Sequence, residues 1–257
     1  KPLIGQYIKM LLSISSNTSS SINLPLSAML KPFIKTCLFS LPLTLITLSY
    51  SYAANAGEIY ESFPETIDAN QKYVFYSHGY IVEGTNAKPK HPEWGIYDFP
   101  EIKKVLADDN YHLIAYHRAK HTEPFQFAKK LAKDVAKLIA ADVKPSNITL
   151  LGFSRGGALS ILTTNELKLS EINTIILAGC AGLIKKHTQV KVYGHVKSIY
   201  ETSDQVGSCQ FLIDRSDDVA SFNEISISTG KSHGAFYNPL PVWVEPVKQW
   251  ITDNTQN

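Results

Sequence analysis

The chain has 257 residues, of which 44% are hydrophobic and 19% charged, and its formal net charge is +2. These values are those of an ordinary globular protein and exclude an intrinsically disordered chain. The near-neutral charge balance gives no electrostatic basis for binding nucleic acid, so no nucleic-acid partner is expected.

Residues 1–56 differ in composition from the rest, because they contain four lysines and no acidic residue. After Met29, two lysines precede an apolar stretch from about Cys37 to Leu48, and the sequence then reads Ala-Asn-Ala up to Ala56. A basic segment, a short apolar segment and an A-x-A site are the parts of a secretory signal peptide. We therefore expect cleavage near Ala56, a periplasmic or secreted protein, and translation that starts at Met29.

An uncleaved N-terminal membrane anchor is the alternative to a signal peptide. The apolar stretch is short for a membrane span and is interrupted by Pro42, so no stable membrane insertion is expected after cleavage. The exported chain keeps two cysteines, Cys180 and Cys209. An oxidising compartment favours a disulfide between them, whereas a pair of buried free thiols fits the sequence equally well.

From residue 73 onward, short apolar runs alternate with helical patterns. The runs predict six strands, at residues 73–77, 111–117, 147–153, 172–180, 195–201 and 222–228. Helices are expected at 124–143, from about Gly156 to Leu167 and from Val242 to Thr252. No strand is evident before residue 73, since residues 57–71 are short and polar. Alternation of strands and helices predicts one α/β domain over residues 57–257, a three-layer sandwich with a mostly parallel sheet and helices on both faces.

The segment TLLGFSRGGAL, residues 149–159, places Ser154 where a buried strand ends and a helix begins. A G-x-S-x-G pattern in this context is typical of a nucleophile elbow, a sharp turn that exposes the serine hydroxyl. Gly152 and Gly156 would remove side chains that collide with the neighbouring strand and helix. The alternative is that Ser154 only helps to pack the strand against the helix.

At these residues the chain resembles the α/β-hydrolase family, in which the nucleophile, the acid and the base follow in that chain order. The resemblance implies that Ser154 is the nucleophile, Asp204 in ETSDQVG the acid and His233 in GKSHGAF the base. It also implies an oxyanion hole formed by the backbone N–H groups of Tyr80, in SHGYIVEG, and Arg155.

Asp204 has competitors for the role of the acid, because other carboxylates lie close along the chain. Glu201 precedes Asp204 by three residues, and the following segment contains Asp214, Asp217 and Asp218. The base has no such competitor, since His233 is the only histidine after Asp204.

Several loop residues leave the same edge of the predicted sheet as Ser154. Candidates for substrate contact are His78, Gly79, Glu83, His117 and Arg118. The alternative for the charged and histidine residues of these loops, including His121, is that they are solvated loop residues. His117 and His121 lie in a loop without an evident third ligand, so no metal site is expected.

Three further segments bear on the shape and support of the predicted site. The aromatic segment 91–102 either forms part of the pocket wall or packs the connection between the first two strands. The segment from Ala181 to about Gly194 is too short for a large lid domain, which predicts an open or shallow site. Because Cys180 ends a strand and Cys209 follows the acid, a disulfide between them would hold the Asp204 loop.

These residues predict a serine hydrolase that cleaves ester-type bonds in a small-molecule substrate, with no metal or organic cofactor. A peptidase, a thioesterase or an acyltransferase would use the same three residues, so the triad does not choose among them. A non-catalytic binding module on the same scaffold is the alternative of a different class.

Overall fold

The computed structural model describes residues 57–253. The predicted signal peptide, its cleavage near Ala56 and the proposed start at Met29 lie outside these residues. Within residues 57–253, no helix is both long and apolar enough to cross a membrane.

A seven-stranded sheet forms the centre of the structure. Its strands are β1 (Ile59–Tyr60), β2 (Tyr73–Ser77), β5 (His112–Ile114), β6 (Ile148–Phe153), β7 (Asn173–Leu177), β8 (Gly194–Glu201) and β9 (Val219–Ile227). They are ordered β1-β5-β2-β6-β7-β8-β9, and each neighbouring pair is parallel. Two further strands, β3 (Lys90–His91) and β4 (Gly95–Ile96), form a separate antiparallel hairpin.

Helices cover both faces of this sheet. They are α1 (Phe99–Leu106), α2 (Pro124–Ala140), α3 (Arg155–Leu167), α4 (Gly182–Lys186), α5 (Gln210–Asp214) and α6 (Pro241–Thr252). Successive residues of a strand point to opposite faces, and in β7 Ile175 packs with α1 and α6 while Ile176 packs with α2 and α3. The two apolar clusters are therefore the two sides of one sheet, which confirms the predicted three-layer α/β architecture.

The amphipathic pattern of 124–143 produces α2, which ends slightly earlier than predicted, at Ala140. Its N-terminus is set by Glu123, whose carboxylate accepts hydrogen bonds from the N–H groups of Phe125 and Gln126 at 3.2 and 2.6 Å. Its buried face includes Leu131, Val135 and Leu138. This helix packs beside α3 and so supports the turn that carries Ser154.

One expectation is wrong, and the connection between β2 and β5 contains short elements that are not predicted from the sequence. A strand does precede residue 73, because β1 pairs with β5 through Ile59 and Tyr60. The aromatic segment 91–102 contains most of the β3–β4 hairpin and the start of α1. Asp98 is the N-cap of this helix, and its carboxylate accepts a hydrogen bond from the Glu101 N–H.

The parallel pairing brings the carboxyl ends of the strands to one edge of the sheet. Ser77 pairs with Gly152, Phe153 with Leu177, and Glu201 with Ile227. The loops that follow these residues therefore meet at one edge, where ligands bind in open α/β sheets.

Candidate active site

Ser154 occupies the turn between β6 and α3 in an unusual backbone conformation. Its φ is 54° and its ψ is −116°, a combination that residues with a side chain rarely adopt. A residue held in such a region costs about 1–3 kcal/mol. The Ser154 N–H donates a hydrogen bond to the carbonyl oxygen of Leu177 at 2.8 Å, which ties the turn to β7. The neighbouring strand thus holds the serine in place at the edge of the sheet.

Two glycines make this turn possible by allowing backbone-to-backbone contact. A Cβ atom on Gly152 would lie 2.2 Å from the Gly156 carbonyl oxygen, and one on Gly156 would lie 1.8 Å from the Ser77 carbonyl oxygen. No side chain fits at either position without moving the backbone. The end of β2, the serine turn and the start of α3 are consequently held against one another.

Ser154, His233 and Asp204 are joined by two hydrogen bonds. The His233 Nδ1 lies 2.5 Å from Asp204 Oδ2, and the His233 Nε2 lies 2.8 Å from Ser154 Oγ. Because an ionised carboxylate can only accept, the Nδ1–H donates to Asp204, and Nε2 is left to accept the serine hydroxyl hydrogen. The imidazole is therefore in the tautomer that can take a proton from Ser154.

The other carboxylates near Asp204 in the sequence have different partners. The Asp214 carboxylate accepts a hydrogen bond from Gln210 at 2.8 Å, and Asp217 forms an exposed ion pair with Lys191. Glu201 is buried and accepts hydrogen bonds from the loops on either side of the site. Among the sequence candidates, Asp204 is the carboxylate placed against His233.

The His233 ring lies between aromatic side chains. Its centroid is 4.8 Å from that of Phe153 and 5.2 Å from that of Trp94, and the His233 side chain is 13% exposed. Gly234 follows His233, and a Cβ atom on it would lie 2.7 Å from the Trp94 Cβ. The glycine lets the indole approach the base, so the imidazole has few other positions available to it.

The two predicted oxyanion donors each begin a helical segment. Arg155 is the first residue of α3, and Tyr80 is the first residue of a 3-10 turn, Tyr80–Val82. The first N–H groups of a helix have no carbonyl partner within it and point away from its end. Both amides thus have the character that an oxyanion hole needs.

The loops beside Tyr80 contain a buried cluster of charged and polar side chains. The Glu83 and Arg118 side chains are 1% and 0% exposed and form an ion pair at 3.4 Å. The Arg118 Nη2 also donates to the His78 carbonyl oxygen, and the Arg118 N–H donates to His78 Nε2 at 3.0 Å. Glu83 and Arg118 are therefore not solvated loop residues. Their contacts with each other and with His78 hold the loop that contains Tyr80 in place.

The five candidates for substrate contact divide between the cleft and its support. Gly79 and Glu83 line the cleft at Ser154, whereas His78, His117 and Arg118 are not among its lining residues. His78 is fully buried, with Arg118 and the Phe99 ring in contact with it. His117 is exposed and bonds through Nε2 to the Val82 carbonyl oxygen at 2.8 Å.

The cleft at Ser154 has a volume of about 500 Å³. Beyond the residues predicted individually, it is lined by Ile81, Lys120, Phe153 and Tyr237, and by His91 and Trp94 of the aromatic segment 91–102. The His91 and Trp94 rings are stacked with centroids 4.0 Å apart, and both come from the β3–β4 hairpin and its turn. The aromatic segment 91–102 thus contributes a wall of the cleft, which was one of the two roles expected for it.

A disulfide connects Cys180, after β7, to Cys209, at the end of the Asp204 loop. The two Cα atoms are 5.3 Å apart, and both residues are almost completely buried. The Cys209 N–H donates to the Glu224 carboxylate at 2.8 Å, which connects the same end of the loop to β9. The loop is therefore held at its far end by a covalent bond.

No protein-family model and no curated protein matches the chain. Solved structures with a similar chain include SOBER1 of Arabidopsis thaliana, at 11% identity and a TM-score of 0.47 over 72% of this chain and 100% of that one. Est1E from Butyrivibrio proteoclasticus is 11% identical, with a TM-score of 0.48 over 76% of this chain and 92% of that one. RedJ thioesterase of Streptomyces coelicolor is 9% identical, with a TM-score of 0.46 over 74% and 92%.

These similarities are too low to carry an argument about activity. The fold class follows from the features of the chain itself. The sheet is parallel with helices on both faces, and Ser154 lies in a strained turn between β6 and α3. Loops after later strands bring Asp204 and His233 to this serine. The architecture is that of the α/β-hydrolase fold, as the sequence motifs predict.

Proposed function

We propose that the chain is a serine hydrolase that cleaves ester-type bonds of small molecules through an acyl-enzyme. The observation that carries this proposal is the His233 imidazole, which is within hydrogen-bond distance of both Ser154 Oγ and Asp204 Oδ2. This arrangement matches the roles of nucleophile, base and orienting acid in acyl transfer.

In the first half of the reaction, Ser154 Oγ attacks the substrate carbonyl carbon while His233 Nε2 takes the hydroxyl proton. The imidazolium that forms is stabilised by the Asp204 carboxylate, which stays ionised. The bond to the leaving alcohol then breaks, and His233 gives its proton to the departing oxygen. An ester now joins the acyl group to Ser154.

The negative charge that develops on the carbonyl oxygen would be held by the N–H groups of Tyr80 and Arg155. Loss of one such donor typically costs about 2.7–4 kcal/mol of transition-state stabilisation. The backbone contacts of Gly156 and the buried Arg118 fix the two loops that present these donors. In this proposal the two donors need no rearrangement as the charge develops.

In the second half of the reaction, water replaces the alcohol. His233 takes a proton from the water, the resulting hydroxide attacks the acyl carbonyl, and the proton passes to Ser154 Oγ as the acid leaves. The enzyme returns to its starting state with one water consumed. None of these steps requires a metal or an organic cofactor.

The cleft supports a substrate with an apolar or aromatic portion. Trp94, Phe153 and Tyr237 line it beside Ser154. A volume of about 500 Å³ suits a small molecule rather than a folded protein. An ester is preferred in this proposal, with a thioester or an amide as the other bond types that the same groups can cleave.

A panel of p-nitrophenyl esters from acetate to palmitate tests this proposal with residues 57–257. We expect hydrolysis of at least the shorter esters and loss of that activity in Ser154→Ala. Ser160→Ala is a matched control, because this buried serine lies in α3 and its one hydrogen bond within residues 57–253 is to the Gly156 carbonyl oxygen. Turnover that survives in Ser154→Ala would contradict the proposal. Labelling of the chain by a fluorophosphonate without ester turnover would point to the peptidase, thioesterase or acyltransferase alternatives.

We also propose that the chain is exported to the periplasm or secreted. The disulfide between Cys180 and Cys209 supports an oxidising compartment. N-terminal sequencing of the chain recovered from the producing cell is the test. A mature N-terminus near Gly57 is expected, and a membrane-bound chain that retains residues 29–56 would favour the anchored alternative.

A further inference from the structure

Glu201 lies between the two loops that carry the acid and the base. It is the last residue of β8, it pairs with Ile227 of β9, and it is 0% exposed. Asp204 follows three residues later, and the loop after Ile227 leads to His233. Burying an ionisable side chain is costly unless it is hydrogen-bonded, so its partners indicate what it does.

Each carboxylate oxygen of Glu201 binds one of these loops. Oε2 accepts hydrogen bonds from the Ser203 N–H at 2.7 Å and from the Ser203 hydroxyl. Oε1 accepts from the N–H groups of Thr229 and Gly230 at 2.8 and 3.0 Å. The carboxylate thereby connects the residue before Asp204 to the loop before His233.

A second contact joins the same two loops. The Ser232 hydroxyl donates to the Ser203 carbonyl oxygen at 3.3 Å, and Asp204 itself donates its N–H to the Glu201 carbonyl oxygen at 3.0 Å. Glu201 therefore binds both loops. Its side chain binds the loop before His233, and its side chain and main chain both bind the loop that carries Asp204.

The four donors require an ionised carboxylate at this position. Burial raises the pKa of Glu201, but the hydrogen bonds from Ser203, Thr229 and Gly230 outweigh it and hold the pKa below its ordinary value. A glutamine has one oxygen and one NH₂ group, so its NH₂ would face N–H donors of one loop or the other. No amide rotamer satisfies both sides.

We infer that Glu201 is a positioning residue for the triad, which sets the distance and angle between Asp204 and His233 by binding both of their loops. This inference rests on the proposed serine-hydrolase function. Glu201 lies outside the cleft lining, so it acts through Asp204 and His233 and does not contact the substrate. It would affect the chemical step much more than substrate binding.

Glu201→Gln tests the inference in residues 57–257, with Glu224→Gln as the matched control. Glu224 lies on the neighbouring strand β9, and its carboxylate likewise accepts hydrogen bonds from a serine hydroxyl and a backbone N–H, those of Ser208 and Cys209. It holds the far end of the same loop without contacting the His233 loop. We expect Glu201→Gln to lower kcat by about 10- to 100-fold, the size of effect that a misplacement of about 1 Å produces, with KM nearly unchanged. Glu224→Gln should leave kcat within about three-fold of the parent chain.

A measurement that needs no turnover separates this inference from the proposed function. Proton NMR detects the His233 Nδ1–H as a strongly downfield signal when it is bonded to Asp204. We expect Glu201→Gln to shift or broaden this signal and Glu224→Gln to leave it in place. If Glu201→Gln does not fold, Ser203→Ala removes one donor to Glu201 and is expected to produce the same changes to a smaller extent.

The outcomes are distinct for the two claims. An unchanged downfield signal and an unchanged kcat in folded Glu201→Gln would overturn the positioning role and leave the serine mechanism intact. Equal losses of kcat in Glu201→Gln and Glu224→Gln would also overturn it, because they would reflect general loosening of the loop. A parent chain that neither turns over esters nor reacts with a fluorophosphonate would overturn the proposed function, and the NMR comparison would still decide the role of Glu201.

Discussion

The indole of Trp94 lies beside the imidazole of His233, with ring centroids 5.2 Å apart and planes inclined at 54°. Trp94 comes from the β3–β4 hairpin and lines the Ser154 cleft. It also lines a second cleft, of about 530 Å³, whose other lining residues include Lys231 and Asn238. The indole therefore borders both clefts and separates them.

Trp94→Ala is therefore expected to change substrate size preference. Removing the indole should open the Ser154 cleft toward the second one, so kcat/KM should fall about 10-fold for small esters and rise for bulkier esters. The measurement is a kcat/KM profile over esters in which the acyl group and the alcohol group are enlarged separately. Trp250→Ala, in α6, is the control, and an unchanged profile in Trp94→Ala would contradict the assigned wall.

Asp204→Asn should lower kcat by about 10⁴-fold with little loss of folding stability, as expected when the acid of a triad is replaced by an amide. The amide NH₂ would face the imidazole and favour the tautomer with hydrogen on Nε2, which cannot accept the Ser154 proton. Steady-state kinetics on a short ester measures the effect. Asp217→Asn is the control, because Asp217 is exposed and forms an ion pair with Lys191, away from His233. A loss of less than about 10-fold in Asp204→Asn would argue that another carboxylate serves the histidine.

The Cys180–Cys209 disulfide should stabilise the fold by about 3–4 kcal/mol, given its sequence separation of 29 residues. Chemical denaturation of residues 57–257 and of Cys180→Ala/Cys209→Ala measures the difference in the free energy of unfolding. Alkylation of the denatured, non-reduced parent chain should modify no cysteine. Two alkylated cysteines would show that the thiols are free.

His78 should make stability depend on pH below neutrality. Burial, together with the nearby positive charge of Arg118, lowers the pKa of His78 from 6.5 to about 2 in the folded protein. Its Nδ1–H donates to the Gly79 carbonyl oxygen and its Nε2 accepts the Arg118 N–H, so the folded state holds the neutral ring. Below pH 6.5 the unfolded chain binds a proton that the folded chain excludes, and stability is lost as the pH falls toward 2.

A comparison with His78→Asn isolates this contribution, because other titrating groups are common to both proteins. We expect the parent chain to be the more stable at pH 7.5, and this advantage to narrow by about 1.4 kcal/mol between pH 7.5 and 5.5. Denaturant titration at several pH values provides the measurement. Parallel stability curves over this range would contradict a neutral, buried His78.

The sequence predicts the strands and helices around Ser154 closely because each has a strong local signal. Strand β2 is observed at the predicted residues, Tyr73–Ser77, and β6 and α3 begin within one residue of their predicted starts. Continuous apolar runs fit buried parallel strands, and the glycines around Ser154 mark the turn between them. Local pattern and tertiary structure agree in this part of the chain.

The elements β1, β3, β4 and α1 are not predicted from the sequence, although α1 has a recognisable signal. Helix α1 starts with Asp98 as its N-cap and Pro100 in its first turn, a combination that predicts a helix start. Strand β1 has only two residues, Ile59 and Tyr60, and exists because β5 offers an unpaired edge. Its length leaves no periodicity to detect.

The support of the site depends on contacts between distant residues, which spacing along the chain does not reveal. Arg118 binds His78 across 40 residues, and Glu201 binds Gly230 across 29. Both charged residues lie in or beside loops, where a solvated side chain is the ordinary expectation. Their burial follows from the way parallel strands gather these loops at one edge of the sheet.

The most direct test of the account is the site of reaction with a fluorophosphonate, mapped by mass spectrometry of residues 57–257. We expect one covalent adduct on Ser154, formed rapidly in the parent chain and much more slowly in His233→Ala, because the histidine activates the hydroxyl. An adduct at another residue, or no adduct while the chain is folded, would contradict the claim that Ser154, His233 and Asp204 form a working catalytic triad.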